Sequence, residues 1–393
     1  MTATTPAVDD ESFEQMLDAT QRFVRERLMP LEKQVEETDS VPDELIDEMK
    51  AQGYFGLSIP QEYGGSGLTS LQQARFQMVI SLSSPAFRYI YSSNLGIGSR
   101  AITLEGTPEQ KQAFLPKLAT GEIVGSFALT EPEAGSDAAS LKTRADRDGN
   151  EYVINGTKRF ISNATRADLF TVMARTSQST PGAKGVSAFL VDRNTPGLTV
   201  GKPEKKMGHH GAQIADIIFE NVRVPADRLI GGREGRGFSV AMKTLDHGRI
   251  NIAAMAVGMA QRLLDESVTY AGQRRQFGQP ILDFQLIQAM IADSSVEIQA
   301  ARAMTFEAAR LLDESGHAAK EAASAKYFAS EMLCRVADRA VQIFGGAGYI
   351  ADYPIERMYR DARLLRIYEG TSQILQLMIA RSVGKEYGLE VRR

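Results

Sequence analysis

A chain of 393 residues, 43% of them hydrophobic, is long enough for two or three domains and can bury a sizeable core, so disorder is not its default state. With a formal net charge of −4 it has no overall positive field to release counterions from nucleic acid or to hold an anionic membrane, and neither is expected as a partner. The single cysteine, Cys334, excludes a disulfide within the chain and, set among apolar residues at helical spacing, reads as a buried structural thiol.

The segment from Met1 to Glu14 carries Asp9, Asp10, Glu11 and Glu14 without an apolar run, unlike a signal peptide or an arginine-rich transit peptide. No later stretch has the length of a membrane span, and a bacterial cytoplasmic protein is expected. Over residues 1–121 short amphipathic runs are broken at Pro30, Pro42, Pro60 and Gly64-Gly65-Ser66-Gly67, which predicts a helical domain. Over 122–236 the pattern turns to short β-rich runs, Ile123 to Leu129, Tyr152 to Ile154, Phe160-Ile161, Leu169 to Met173, Ser187 to Val191 and Ile217 to Phe219. Asp148-Gly149-Asn150 and Asn155-Gly156 supply turns between them, at the spacing of an antiparallel barrel or sandwich.

Over 237–393 a period of 3.6 returns. Phe328, Met332, Val336, Ala340 and Ile343 make one apolar stripe that stops at Gly345-Gly346, a place for a helix C-cap, and Ile287, Ile291 and Ile298 mark another. Four long helices with short connections read as a bundle, so the predicted fold is multidomain α+β: a helical domain, a β domain and a four-helix bundle.

Two motifs are weaker than they look. Gly96-Ile97-Gly98-Ser99-Arg100-Ala101 fits a dinucleotide fingerprint in form, but Tyr91-Ser92-Ser93-Asn94 before it is no buried parallel strand and no βαβ alternation surrounds it. His209-His210 lies in a Gly-flanked turn without cysteines or carboxylates at ligand spacing, so no metal is expected.

Phe127-Ala128-Leu129-Thr130-Glu131-Pro132-Glu133-Ala134-Gly135-Ser136-Asp137 runs a strand into a loop of small and hydroxyl residues, which lets backbone N–H groups approach a flavin or a phosphate. Alone it is a good turn. Four further segments accompany it: Phe160-Ile161-Ser162-Asn163, Arg274-Arg275-Gln276-Phe277-Gly278, Gln342-Ile343-Phe344-Gly345-Gly346-Ala347-Gly348-Tyr349 and Ile367-Tyr368-Glu369-Gly370-Thr371-Ser372-Gln373-Ile374. Together they closely resemble the acyl-CoA dehydrogenase family, over nearly the whole chain and with its helix–β–helix layout. The resemblance implies FAD as cofactor, an acyl-CoA substrate, an electron-transferring flavoprotein as acceptor and a homotetramer built as a dimer of dimers.

By the same resemblance Phe127, Leu129, Thr130, Ser136, Phe160, Ile161 and Ser162 would line the flavin and the neighbouring substrate. The family usually carries an indole at position 160, and this chain has no Trp, so stacking on the flavin would differ there. Arg274, Gln276, Phe277 and Gln285 of one subunit, with Gln342, Gly345 and Gly346 of its neighbour, would hold the pyrophosphate and adenine, a role that suits the fixed fork of a guanidinium. Thr371 and Gln373 would complete the flavin site, and Ser136, Asp246, Arg249, Tyr368 and Gly370 would contact the substrate.

A glutamate in a helical region is normally a solvated face. Glu369, between Tyr368 and Gly370-Thr371-Ser372, is expected where one helix ends and another begins. A helix C-terminus and desolvation by an apolar acyl chain would both raise its pKa, the direction needed of a base for a weakly acidic C–H proton. The resemblance makes Glu369 the catalytic residue: it removes the α-proton while the flavin accepts the β-hydrogen as hydride, giving a trans-2-enoyl-CoA. The Glu369 backbone N–H and a ribityl hydroxyl would polarise the thioester oxygen.

The stretch from Ser84 to Asn94 resembles glutaryl-CoA dehydrogenases, in which an arginine at the position of Arg88 receives the distal carboxylate of the acyl chain. A buried arginine with no acidic neighbour in sequence is costly without an anionic partner. Two substrate readings stand: a dicarboxylyl-CoA held by Arg88, or a short- or medium-chain monocarboxylic acyl-CoA with Arg88 paired elsewhere or turned outward. An acyl-CoA oxidase and a non-oxidative flavoprotein on the same fold are the remoter alternatives.

Overall fold

The structure, a computed structural model, describes residues 7–389; the first six residues of the segment from Met1 to Glu14 lie outside the described part. The N-terminal part contains α1 (Asp10–Phe23), α2 (Glu32–Thr38), α3 (Asp43–Ala51), α4 (Ser70–Ile80), α5 (Pro85–Leu95), α6 (Arg100–Glu105) and α7 (Pro108–Thr120). Prolines punctuate it as expected: Pro30 sits in the short 3-10 turn before α2, Pro42 immediately precedes α3, and Pro60 precedes a further 3-10 turn. The Gly96 motif follows α5 and not a strand, so it cannot form a strand-to-helix nucleotide turn.

The middle part carries β1 (Gly125–Ala128), β2 (Arg144–Asp148), β3 (Glu151–Ser162), β4 (Leu169–Arg175), β5 (Val186–Asp192), β6 (Leu198–Val200) and β7 (Ile214–Pro225). They form one sheet in the order β1-β4-β2-β3-β7-β6, with β5 on β4. The purely antiparallel expectation is corrected at two places, because β1 pairs parallel with β4, from Gly125 opposite Leu169 to Ala128 opposite Val172, and β2 meets β4 in the same sense where Arg144 lies opposite Arg175. Asp148-Gly149-Asn150 is the hairpin turn expected, with Asp148 opposite Glu151. Asn155-Gly156 is not a turn. It lies inside β3, where the register with β7 slips between Ile154 and Gly156 and Asn155 Oδ1 accepts the Asn221 N–H at 2.8 Å. A second slip falls between Lys158 and Ile161, and such bulges curl a sheet and re-aim side chains.

The C-terminal part consists of α8 (Gly237–Gln273), the two-stranded ribbon β8 (Arg275–Gln276) and β9 (Gln279–Pro280), α9 (Gln285–Ser315), α10 (Ala319–Phe344), α11 (Ile355–Ala362) and α12 (Ser372–Glu386). Three helices are long and α12 is a shorter fourth. The α10 stripe is buried at Met332, Val336, Ala340 and Ile343, and the helix ends at Gly345, whose φ of 59° suits glycine. Cys334 on the same helix is only partly buried. Ala253 to Met259 of α8 is buried on all sides, because α4 crosses it; a Cβ on Gly258 would meet Met78 O at 2.3 Å, so glycine permits the approach. Asp313 near the end of α9 accepts the Ser70 and Leu71 N–H groups at 2.7 and 3.0 Å, tying α4 to the bundle at its positive end. Among the described residues no helix is long and apolar enough to cross a membrane.

Candidate functional site

A cavity of about 780 Å³ opens where α5, the ends of β1 and β3, α8 and the loop before α12 meet. From α5 it receives Arg88; from β1 and the following loop Phe127, Leu129, Thr130 and Ser136; from β3 Phe160, Ile161 and Ser162; and from α8 and the last loop Arg249, Tyr368, Glu369 and Gly370. The sequence-distant residues expected at the flavin and the thioester therefore share one wall system.

Local structure explains each placement. The second β3 bulge gives Phe160 a φ of 57° and leaves its ring 54% exposed at the cavity, with the Arg159 guanidinium 5.2 Å from its centroid. Leu129 and Glu131 are braced by Lys158, a fully buried lysine whose Nζ donates to Leu129 O at 3.0 Å and to Glu131 Oε1 at 2.7 Å. Burial pushes the Lys158 ammonium down to about 8 despite the Glu131 charge. Burial opposes ionisation of Glu131 as well, but the Lys158 charge and the Lys142 N–H hold its carboxyl below the usual range. Asn163, just past β3, donates to Tyr89 O at 2.6 Å and Ser93 Oγ at 3.0 Å and fixes α5 against the sheet.

Glu369 occupies a short loop. α11 ends at Ala362, a 3-10 turn covers Arg363–Arg366, and Thr371 caps α12 by accepting the Ile374 N–H at 3.3 Å. Glu369 and Gly370 take left-handed φ values of 53° and 98°, which for a glutamate costs about 1–3 kcal/mol and has to be held by its surroundings. Two buried cations hold it: Arg249 Nε donates to Glu369 O at 3.3 Å, and Lys326 Nζ donates to Gly370 O at 2.7 Å. Arg249 is oriented in turn by Asp246, at 2.8 Å.

Glu369 lines the cavity, and its Oε2, packed against Gly248, is buried without a hydrogen-bond partner. Gly248 of α8 makes the room, since a Cβ there would lie 2.2 Å from Oε2 and 2.8 Å from Cδ. Desolvation raises the Glu369 pKa, and the charges of Arg88, Arg249 and Lys326 offset part of that rise. The expected contribution of a helix C-terminus is corrected: Glu369 lies several residues past α11 and just before the positive end of α12, so burial alone drives the shift.

Arg88 is 7% exposed, and its Nε donates to Gln77 Oε1 at 2.8 Å. Among the described residues no carboxylate lies within 4.0 Å of its guanidinium. His209 is a buried packing residue, its backbone N–H on Asp361 Oδ1 and its ring edge-on to Tyr89 at 5.5 Å. Among the described residues no group of three His, Cys, Asp or Glu could hold a metal ion.

The remaining expected residues do not line the cavity. Asp246 acts through Arg249, Thr371 is a helix cap, and Gln373 is exposed in the first turn of α12. Arg274, Gln276, Phe277 and Gln285, and likewise Gln342, Gly345 and Gly346, are all exposed, Phe277 at 94%. The two segments, expected from different subunits, lie side by side on one chain: Tyr270 at the end of α8 stacks on Phe344 at the end of α10, with centroids 4.1 Å apart. Sequence reasoning missed Gln77, Gly248 and Lys326. Only Lys326 left a signal, a charged residue on the apolar stripe between Ala322 and Ala329 of α10.

Comparison with known proteins agrees with this arrangement. Models of the acyl-CoA dehydrogenase N-terminal, middle and C-terminal domains match residues 10–122, 126–222 and 235–384. A caffeyl-CoA reductase–Etf complex subunit from Acetobacterium woodii is 43% identical over 348 residues, covering 88% of this chain and 91% of the relative. The butyryl-CoA dehydrogenase structure from Megasphaera elsdenii superposes with a TM-score of 0.92 at 37% identity, over 96% of this chain and 98% of that one. A glutaryl-CoA dehydrogenase in complex with glutaryl-CoA superposes at 0.90 with 34% identity, over 98% and 96%. The fold is that of a flavoprotein oxidoreductase, and the chain belongs to the acyl-CoA dehydrogenase family.

Acyl-CoA dehydrogenases are FAD-dependent, and the residues present fit that group. The cavity lies within the ~300–1,000 Å³ of cofactor and ligand sites. Its wall offers an exposed aromatic ring at Phe160 and, at Gly135, backbone open enough that an added Cβ would meet nothing within 4 Å.

Proposed function

We propose that this chain interconverts an acyl-CoA thioester and its 2-enoyl-CoA, with Glu369 as the residue that exchanges the α-proton. The observation that carries the reading is the buried, unpartnered Glu369 Oε2 at the cavity. A carboxylate with a raised pKa and no hydrogen-bond donor on that oxygen is a stronger base than a solvated one and is free to approach a C–H proton. Bound FAD would supply a reversible acceptor for the β-hydrogen as hydride. Phe160, Leu129 and Thr130 would bear on the ring system and Ser136 on the thioester arm, while Arg249 keeps the Glu369 loop in place. The same proton site serves dehydrogenation and enoyl reduction, so direction is set by the electron partner. The relative named as a reductase–Etf subunit supports an electron-transferring flavoprotein in that role.

For the substrate, the reading is an acyl chain that ends in a carboxylate received by Arg88. The support is a buried guanidinium at the cavity with, among the described residues, no carboxylate within 4.0 Å. Mutating Arg88→Met is expected to cut kcat/KM for glutaryl-CoA about a hundredfold or more while sparing butyryl-CoA, since losing one partner of a buried ion pair costs about 3–5 kcal/mol. An equal, small effect on both would leave the second reading, a short-chain monocarboxylic substrate. That reading is favoured by the likeness to butyryl-CoA dehydrogenase and by the charge that Arg88 already shares with Glu369.

The exposed ends of α8 and α10, with Phe277 and Tyr349 94% and 84% exposed, suit a site completed by a second copy of the chain within a homotetramer. Sedimentation of a flavin-replete monomer at high dilution would exclude a shared site.

A further inference from the structure

We infer that Lys326 is a positioning residue for the base: its ammonium ties the Gly370 carbonyl to α10, holds the Glu369–Gly370 turn in its left-handed form and supplies positive charge behind the carboxylate. The inference rests on the reading of Glu369 as the α-proton base. Lys326 is fully buried on a helix whose neighbouring positions Ala322, Ala329 and Leu333 are apolar. Placing an ammonium there is costly, and a structural helix would not require it. Its Nζ donates to Gly370 O at 2.7 Å, one residue beyond the carbonyl that Arg249 holds at 3.3 Å. Two consecutive carbonyls are thus drawn into the bundle by two cations, and the intervening backbone has the dihedral angles a glutamate adopts only under such constraint.

The two cations are not equivalent. Arg249 is neutralised by Asp246 at 2.8 Å, whereas among the described residues Lys326 has no carboxylate within 4.0 Å. Burial pushes Lys326 down to about 8, with Glu369 the largest influence in the other direction. The groups around Glu369 are Arg88 and Tyr89 from α5, Arg249 and Asp246 from α8, Lys326 and Glu331 from α10, and Tyr368 beside it. Burial holds Tyr89 up at about 12 and Tyr368 well above the usual range, so both stay neutral where the enzyme works. The charges that favour ionised Glu369 are therefore Arg88, Arg249 and Lys326, and removing Lys326 raises the pKa of the base.

The test is anaerobic rapid mixing of the FAD-loaded enzyme with butyryl-CoA and glutaryl-CoA across pH, reading flavin reduction in wild type, Lys326→Met, Lys326→Arg, Lys326→Gln and Glu369→Gln. Methionine is close in shape but leaves the Gly370 carbonyl without its donor, so the variant is expected to fold and keep its flavin with a somewhat lower thermal midpoint. In Lys326→Met the maximal reduction rate is expected to fall about tenfold or more with half-saturation within about twofold, and the acidic limb to move to higher pH. Arginine keeps the limb in place; glutamine, a donor without charge, recovers rate without returning the limb. A flavin-loaded Lys326→Met enzyme with the wild-type rate and limb overturns the inference, and a lower rate with an unmoved limb reduces Lys326 to a structural residue and also overturns it. Glu369→Gln separates the two readings: reduction persisting there with a wild-type limb means that the base lies elsewhere, whatever Lys326 does.

Discussion

Gly248→Ala isolates the geometry of the proposed base, Glu369, from the stability of the fold. A Cβ at this position would stand 2.2 Å from Glu369 Oε2, 2.8 Å from Cδ and 2.9 Å from Oε1, whereas ordinary contacts begin near 3.4 Å. The carboxylate has to retreat by roughly 1 Å, and a displacement of that size can cost about a hundredfold in rate, or about 2.7 kcal/mol of barrier. The same substitution inside α8 favours the helix by about 0.5–1 kcal/mol, because alanine loses less backbone entropy than glycine. Rate and stability are therefore expected to move in opposite directions. Anaerobic reduction of the flavin by acyl-CoA measures the first, and a thermal melt followed by circular dichroism the second. Reduction within about twofold of wild type, in a variant that binds flavin normally, would refute the claim that Gly248 sets the position of the carboxylate.

The buried pair behind the loop that follows β1 gives a further expectation. Lys158→Met leaves Glu131 buried without its cation and Leu129 O without its donor, so the enzyme is expected to lose about 3–5 kcal/mol of stability and to release FAD more readily; denaturant unfolding and flavin retention on gel filtration measure these. Unchanged values in both would mean that the backbone N–H groups of Lys142 and Thr143 suffice to hold Glu131.

The parts of this account that were legible in the sequence are those with a local physical signature. Proline and glycine marked the helix ends, the α10 stripe marked its buried face, and Asp148-Gly149-Asn150 marked a hairpin. Asn155-Gly156 misled because the same two residues serve a bulge as well as a turn, and only the partner strand decides which. The parallel pairing of β1 with β4 depends on a contact 44 residues away that no local pattern encodes. At the site, the motif singles out Glu369 and the structure brings it to the cavity, but the helix end expected to raise its pKa lies several residues upstream, which leaves desolvation as the cause. Gly248 and Gln77 act through contacts that exist only once α8 and α4 are packed against the last loop and α5.

Glu369→Gln, mixed anaerobically with a panel of acyl-CoA thioesters, tests the central claim most directly. The amide is nearly isosteric but cannot accept the α-proton, so the variant is expected to keep its flavin and bind the thioester while reduction falls by at least about 10³-fold. Bleaching of the flavin at the wild-type rate would show that another group removes the proton and that the buried Oε2 has no part in the chemistry.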